Sequence, residues 1–179
     1  LSIYTNISGD SFISIKIFPI IIHFFILFAI FKLCIALGLS KNNSIFCAFS
    51  FIIIPAASVS SFLISTDLLL LFFWTITMVR VLETRLNNTK LNFHLLGLFL
   101  GLAFLSKYAA IYFIISLVLL IAVDKKTYAA FKTNLGGLLI FVITFCIIIS
   151  PNIFWNFNNN WVTISHTSDN ANLRNFNLN

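Results

Sequence analysis

The chain has 179 residues, of which 60% are hydrophobic and only 9% charged, and its formal net charge is +6 at neutral pH. So few polar side chains cannot cover the surface of a soluble globule, and the composition therefore excludes an ordinary soluble domain. The basic residues occur singly along the chain rather than on one face, which argues against a nucleic-acid partner. We therefore expect an integral membrane protein.

Hydrophobic stretches of membrane length predict an all-α, polytopic transmembrane helix bundle, because about 20 apolar residues in a helix cross a bilayer. Six stretches qualify as candidate membrane helices, over residues 17–39, 45–64, 68–82, 93–105, 108–123 and 135–150. We predict a partial membrane domain over residues 1–151, with its last helix ending at Ser150-Pro151, and an interfacial tail over residues 152–179. The start at Leu1 and the polar end favour a fragment of a longer protein.

The three cysteines, Cys34, Cys47 and Cys146, all lie within these apolar stretches. A thiol in such a position packs as a small hydrophobe. Their spacing matches no disulfide, haem or zinc motif, so no metal site is predicted.

The positions of the basic residues predict the topology, because lysine and arginine concentrate in cytoplasmic loops. The odd-numbered loops contain seven of them, namely Lys41, Arg80, Arg85, Lys90, Lys125, Lys126 and Lys132. The opposite side has only Lys16, Lys107 and Arg174. Both ends of the chain are therefore predicted to face outward, with Asp67 and Lys107 on the same outer surface.

Ser106-Lys107 is predicted to be the recessed tip of a helical hairpin, because the stretches on either side have only 13 and 16 residues. Residues 93–123 could instead form one long tilted helix, which would place Lys125 and Lys126 outside. An ionisable group at membrane depth indicates a functional site by default. Asp67 and Lys107 are therefore the first site candidates.

Each candidate also has a purely structural interpretation. Asp67, preceded by Ser65 and Thr66, could cap the following helix, and Lys107 could extend its ammonium from the lipid to the headgroups. His23 is interpreted as a hydrogen-bonded interior residue without a role. The sequence alone does not decide between a surface and a site position for His166.

Three motifs occur in the order and spacing of one known family. They are Ser65-Thr66-Asp67 with the apolar run to Trp74, the run from Gly97 to Ser106-Lys107-Tyr108, and Ser150-Pro151-Asn152 ahead of Asn160-Trp161. Together they resemble the bacterial branch of the dolichyl-phosphate-mannose protein mannosyltransferase family. These are GT-C-type membrane glycosyltransferases, similar to the aminoarabinose lipid A transferases. The resemblance runs from about Gly9 nearly to the end of the chain.

The resemblance implies an inverting transfer of a sugar from a polyprenyl-phosphate donor to a lipid, glycan or protein acceptor. The reaction would take place at the outer face of the bacterial cytoplasmic (inner) membrane. By the same resemblance, Asp67 is a catalytic residue that orients the site or contacts the sugar or a cation. Lys107 meets the departing lipid phosphate, and Tyr108 and His166 line the substrate site. The resemblance implies no definite cofactor, and a bound divalent cation is an alternative that the sequence does not decide.

The family's general base belongs to a first outer loop that follows an initial membrane helix, and both would precede Leu1. We therefore expect the chain to be inactive by itself. One alternative is a fragment of a multi-pass transporter with Asp67 and Lys107 as a coupling pair, although the sequence has no internal repeat. Another is a noncatalytic membrane scaffold, which would need no recessed charges.

Overall fold

The computed structural model describes residues 12–60, 63 and 65–170. Over this part of the chain the protein is all-helical, as predicted, with nine α-helices and no strand. The helices are α1 (Phe12–Ala36), α2 (Lys41–Ile53), α3 (Pro55–Ser60), α4 (Thr66–Leu86), α5 (Lys90–Ser106), α6 (Ile111–Val123), α7 (Lys125–Thr133), α8 (Leu135–Asn158) and α9 (Val162–Asn170). A 3-10 turn over Tyr108–Ala110 joins α5 to α6.

Two helices among the described residues are long and apolar enough to cross a membrane, namely Lys16–Ala36 within α1 and the whole of α8. The pair Tyr108–Val123 and Lys125–Thr133 would be a third if it is one span, but it bends by 99° at its break. The predicted membrane class is thus supported, whereas six crossings are not shown. The other helices are either shorter, such as α5 with 17 residues, or, like α4, carry charges near both ends.

The helix end predicted at Ser150-Pro151 is wrong, because α8 continues to Asn158. Pro151 has no N–H, so the carbonyl of Ile147 loses its normal helical partner. The Ser150 hydroxyl donates to that carbonyl at 2.8 Å and satisfies it locally. The helix therefore passes through the proline.

The single helix predicted over residues 45–64 is also wrong. It divides into α2 and α3 at Ile54, which has an extended backbone with φ −65° and ψ 119°. A residue before proline avoids the helical region, and Pro55 suits the first position of a new helix. Residues 61, 62 and 64 of the predicted helix lie outside the described part of the chain.

Close contact between α5 and α8 forms the middle of the bundle. A Cβ atom at Gly97 would lie 2.5 Å from the backbone oxygen of Phe141, and one at Gly101 would lie 2.7 Å from Cγ2 of Ile148. Small residues one turn apart let two membrane helices approach in this way. Around this contact lies an apolar core of Val81, Phe93, Leu96, Leu100, Phe113, Leu117, Ala130 and Phe131.

The chain reverses direction at Lys107, so the predicted hairpin is confirmed and a single helix over residues 93–123 is excluded. The recessed position of its tip stays a prediction. After the turn, α6 returns to the far end of α4, where Arg85 Nη2 lies 3.4 Å from Asp124 Oδ1. We call the end of the bundle with Asp67 and Lys107 the Lys107 end. We call the opposite end, with Arg85 and residues 124–133, the basic end.

Candidate functional site

Asp67 and Lys107 form an ion pair at the Lys107 end, with 2.5 Å between Nζ of the lysine and Oδ1 of the aspartate. The two residues are 40 positions apart in the sequence. Their side chains remain 46% exposed for Lys107 and 65% exposed for Asp67. The structure therefore brings the two predicted site residues together on an accessible surface.

Lys107 holds its place because the chain leaves helical geometry there. Its backbone is extended, with φ −161° and ψ 135°, between the end of α5 and the 3-10 turn. Its N–H donates to the carbonyl of Ala103 at 3.1 Å, and its own carbonyl accepts from the N–H of Ala110 at 3.0 Å. Both neighbouring helical segments therefore fix the backbone that carries the ammonium group.

Asp67 lies in the first turn of α4 rather than at the N-cap. Ser65 occupies the cap position, and its side chain makes no capping hydrogen bond. The predicted capping interpretation of Asp67 is wrong in this respect. A carboxylate in the first turn still suits the helix dipole.

Tyr108 anchors a polar cluster directly beside Lys107. Its hydroxyl donates to Oδ1 of Asn152 at 2.8 Å and accepts from Nδ2 of Asn156 at 3.1 Å. Oγ1 of Thr163 lies 3.4 Å from the same hydroxyl, and the ring packs on Phe104 with 5.4 Å between ring centroids. We refer to Tyr108, Asn152, Asn156 and Thr163 as the tyrosine cluster.

Asn156 is the buried centre of the tyrosine cluster, with only 1% of its surface exposed. Its Nδ2 also donates to the carbonyl of Asn152 at 2.9 Å, and its Oδ1 accepts from the Thr163 hydroxyl. A buried amide needs such partners, because leaving it unpaired costs about 1–3 kcal/mol. The cluster thus ties the C-terminal turns of α8, the start of α9 and the tip of the hairpin to one another.

A turn after α8 brings Thr163 to the cluster. Asn160 and Trp161 both have positive φ angles, of 52° and 56°, and the N–H of Trp161 donates to the carbonyl of Asn156 at 2.9 Å. Positive φ is tolerated by asparagine and uncommon for tryptophan, so the surrounding contacts must hold this conformation. The turn directs α9 back toward Tyr108.

The sequence reasoning missed Asn156 and Thr163. A signal was present, since Asn152 and Asn156 are four residues apart and face one side of a helix. The predicted helix ends at Ser150-Pro151, so this prediction places both asparagines in a tail where a helical spacing has no meaning.

The other predicted residues either lie away from the ion pair or have side chains outside the described part of the structure. The backbone of His166 belongs to α9, but its side chain lies outside the described part of the structure, so its lining role stays a prediction. Nδ1 of His23 lies 3.0 Å from the carbonyl of Pro19 in its own helix, as expected of an interior histidine. Among the described residues, no group of three or more histidine, cysteine, aspartate or glutamate side chains could hold a metal ion.

Two comparisons with known proteins bear on this site. Residues 1–155 match the family described as dolichyl-phosphate-mannose-protein mannosyltransferase. The chain is also 29% identical over 124 residues to the lipid A galacturonosyltransferase RgtD of Rhizobium johnstonii. That alignment covers 67% of this chain but only 24% of the relative, so the chain spans a minor part of the relative's length. No solved structure matches.

The family match includes Asp67, Lys107, Tyr108 and Asn152, and it ends just before Asn156. It extends over most of the 179 residues. The chain therefore belongs to the dolichyl-phosphate-mannose-protein mannosyltransferase family.

Proposed function

We propose that the protein is a membrane glycosyltransferase that moves a sugar from a polyprenyl-phosphate donor to a lipid, glycan or protein acceptor. The observation that carries the proposal is the accessible ion pair of Asp67 and Lys107 at 2.5 Å, in a chain that belongs to this family. A coupling pair in a transporter would be the competing explanation, and family membership argues against it.

In this proposal Lys107 stabilises the phosphate that leaves the sugar. An oxygen of the acceptor bonds to the anomeric carbon and gives up its proton to a base, while the bond from that carbon to the phosphate oxygen breaks. Negative charge therefore accumulates on the phosphate. An ammonium has three donors, so Lys107 can contact Asp67 and a phosphate oxygen together. A charge-assisted hydrogen bond to the developing anion lowers the barrier.

Asp67 has two roles in the same scheme. It holds the Lys107 ammonium where the phosphate arrives, and its second carboxylate oxygen can accept a hydrogen bond from a sugar hydroxyl. A divalent cation would compete with the ammonium for this carboxylate, so the proposed step uses Lys107 alone.

Tyr108 acts indirectly, because it follows Lys107 in the chain and its anchored side chain fixes the backbone there. Its hydroxyl already has hydrogen-bond partners on Asn152 and Asn156. We therefore propose that it positions the neighbouring lysine, while the predicted lining role is kept for His166.

The Lys107 end faces outward in this proposal, and the basic end faces the cytoplasm of a bacterial inner membrane. Support comes from Arg85, Lys90, Lys125, Lys126 and Lys132, which all lie near the basic end. Positive residues are retained on the cytoplasmic side during insertion.

Sugar transfer by the intact protein in membranes tests the role of Lys107. Lys107→Ala should lower the rate by about 10²- to 10³-fold, the scale of losing one donor to a developing anion. Lys107→Arg should keep part of the activity, since a guanidinium also binds phosphate but with a different geometry. Lys41→Ala removes an exposed lysine outside the proposed site and should leave the rate unchanged.

Asp67→Asn completes the test. It preserves an oxygen in the first turn of α4 and removes the charge that holds Lys107. We expect a strong loss of transfer with normal membrane insertion. If both Asp67→Asn and Lys107→Ala transfer sugar at the normal rate, the proposed site is wrong.

A further inference from the structure

The charges at the basic end are unbalanced in the described part of the chain. Three acidic side chains are described, and their ion-pair partners are Lys107 for Asp67, Arg80 for Glu83 and Arg85 for Asp124. Lys90, Lys125, Lys126 and Lys132 therefore have no ion-pair partner among the described residues. Lys126 contributes only a longer-range attraction to Asp124.

Three of these lysines lie on α7, a helix that turns sharply away from the direction of α6. The bend between the two helices is 99°, and Asp124 fixes it by accepting from the N–H and the hydroxyl of Thr127 at 2.8 and 2.6 Å. Only Asn134 separates α7 from α8, which is long enough to cross a bilayer. A short helix that bends away from α6 and directly precedes a helix of membrane length is suited to the level of the headgroups.

One side of α7 packs on the protein. Thr127, Ala130 and Phe131 are buried, and the Phe131 ring lies edge-on to Phe93 with 5.1 Å between ring centroids. The spacing of the buried residues, at i, i+3 and i+4, is that of one helical face. The orientation of α7 is therefore set by the core, and its other face is left exposed.

The exposed side of α7 combines three lysines with one aromatic ring. It consists of Lys125, Lys126, Tyr128 and Lys132, which we call the α7 face. Tyr128 is 50% exposed, and Nζ of Lys132 lies 5.4 Å from its ring centroid. Tyrosine and lysine together are typical of the membrane interface, where the ring meets the acyl region and the cation meets the headgroups.

Lys90 extends this basic surface toward α8. A Cβ atom at Gly136 would lie 3.6 Å from Cε of Lys90, so this lysine runs beside the first turn of α8. Asn88 donates to the Thr133 hydroxyl at 2.7 Å and holds the two loops together. Four cations thus share one end of the bundle.

We infer that the α7 face binds the phosphate headgroups of anionic phospholipids and anchors the basic end at the membrane surface. The excess positive charge, the exposed tyrosine and the continuity with a membrane-length helix all favour lipid over an acidic protein partner. A basic residue close to an anionic bilayer surface increases affinity by about fivefold. The inference concerns the end opposite the proposed catalytic site and does not depend on it.

Lipid selectivity of the reconstituted chain tests the inference. The protein is placed in phosphatidylcholine bilayers with a trace of spin-labelled phosphatidylglycerol or spin-labelled phosphatidylcholine. Electron paramagnetic resonance then gives the fraction of each label that the protein immobilises. We expect phosphatidylglycerol to be preferred by at least about fivefold, since that is the scale of one lysine at an anionic surface and the α7 face has three. High salt should reduce this preference, because it screens exposed charges.

Paired double variants locate the effect. Lys125→Gln with Lys126→Gln should lower the preference strongly, because only Lys132 remains as a cation on the α7 face, and Lys125→Arg with Lys126→Arg should keep it. Lys32→Gln with Lys41→Gln removes the same charge outside α7 and should leave most of the preference. An equal loss in both glutamine pairs, or no preference in the unmodified chain, overturns the inference. Salt-sensitive binding of an acidic protein without lipid selectivity would also overturn it.

Discussion

The two ends of the bundle hold their charged groups in opposite ways. At the basic end, each described carboxylate pairs with an arginine, Glu83 with Arg80 and Asp124 with Arg85. At the Lys107 end, the carboxylate of Asp67 pairs with a lysine and stays 65% exposed. A guanidinium presents a rigid fork, whereas an ammonium is a point charge that can turn toward a new anion.

This difference distinguishes the two arginine pairs of the basic end, which support the fold, from the Asp67–Lys107 pair, whose lysine can turn to another anion. An exposed pair such as Asp67 and Lys107 contributes only about 0–1 kcal/mol to stability. Its value to the fold is therefore small, and its accessibility favours a role in binding. The Arg85–Asp124 pair instead connects the end of α4 to the bend between α6 and α7.

The largest expected effect is all-or-none and concerns which side of the membrane each end faces. After alanine replaces the three native cysteines, Asn158→Cys near the Lys107 end should react with an impermeant thiol reagent added outside intact cells. Ala129→Cys on α7 should react only after the membrane is permeabilised. Equal labelling of both from outside would contradict the assigned topology.

The next effect concerns the close contact between α5 and α8, which lies between the two ends of the bundle. Gly97→Ala should lower the free energy of unfolding by about 1–3 kcal/mol, because the new Cβ would meet the backbone of Phe141, which cannot move aside cheaply. Thermal unfolding in detergent measures the change. Gly136→Ala is the matched control, since its nearest neighbour would lie at an ordinary 3.6 Å. Equal stability of the two variants would show that α5 and α8 are not in tight contact.

An effect of similar size tests the tyrosine cluster. Asn156→Leu should destabilise the protein by about 1–3 kcal/mol, because it leaves the Tyr108 and Thr163 hydroxyls without their buried partner. Asn158→Leu, two residues further along the same helix, makes the same substitution at an exposed position and should have little effect on thermal unfolding. If the proposed function holds, Asn156→Leu also lowers sugar transfer through the misplaced Lys107 loop. Matching unfolding temperatures for the two variants would argue against the cluster.

The smallest effect is a pH dependence at the basic end. Hydrogen bonds from the Thr127 hydroxyl and N–H, with the Arg85 guanidinium, hold the pKa of the Asp124 carboxyl below its usual value. Ionised Asp124 therefore stabilises the fold above its usual pKa, and this contribution is lost as the pH falls through the folded-state pKa. Asp124→Asn keeps a cap for α7 but removes the charge.

Comparing thermal unfolding of the two proteins across pH gives the measurement. The unmodified chain should be slightly more stable than Asp124→Asn at neutral pH, and the gap should close below about pH 4. A gap that stays constant down to strongly acidic pH would show that the charge of Asp124 has no role.

The Asp67–Lys107 pair was predictable because it follows from rules that act along the whole chain. Loop charge placed both residues on one surface, and short helices placed the turn at Ser106-Lys107. The tyrosine cluster depends on details that such rules do not contain. The Ser150 hydroxyl satisfies the carbonyl that Pro151 leaves without a partner, and the positive φ of Trp161 returns α9 to Tyr108.

A residue before proline disfavours helix, which is a signal for the division at Ile54, but α1 and α8 continue through Pro19 and Pro151 and show that the signal is not decisive. Membrane composition obscured it, because apolar residues continue on both sides of Pro55. The Arg85–Asp124 contact could not be predicted, because it joins residues 39 positions apart whose proximity depends on the return of α6. Local patterns thus predicted the helical class and the turn at Lys107, whereas helix continuity at prolines and the contacts between helix ends depended on local and tertiary hydrogen bonds.

Pro151 gives α8 a bending stiffness that varies along its length. The half that packs on α5 is held where Gly97 meets the backbone of Phe141 and Gly101 meets the side chain of Ile148. Further along, the helix lacks the main-chain hydrogen bond between Ile147 and Pro151. The turns beyond that point, which carry Asn152 and Asn156, lie outside this close contact. If the protein transfers a sugar as proposed, bending at Pro151 would adjust the candidate site to a bulky sugar within one continuous helix, with the half that contacts α5 left in place.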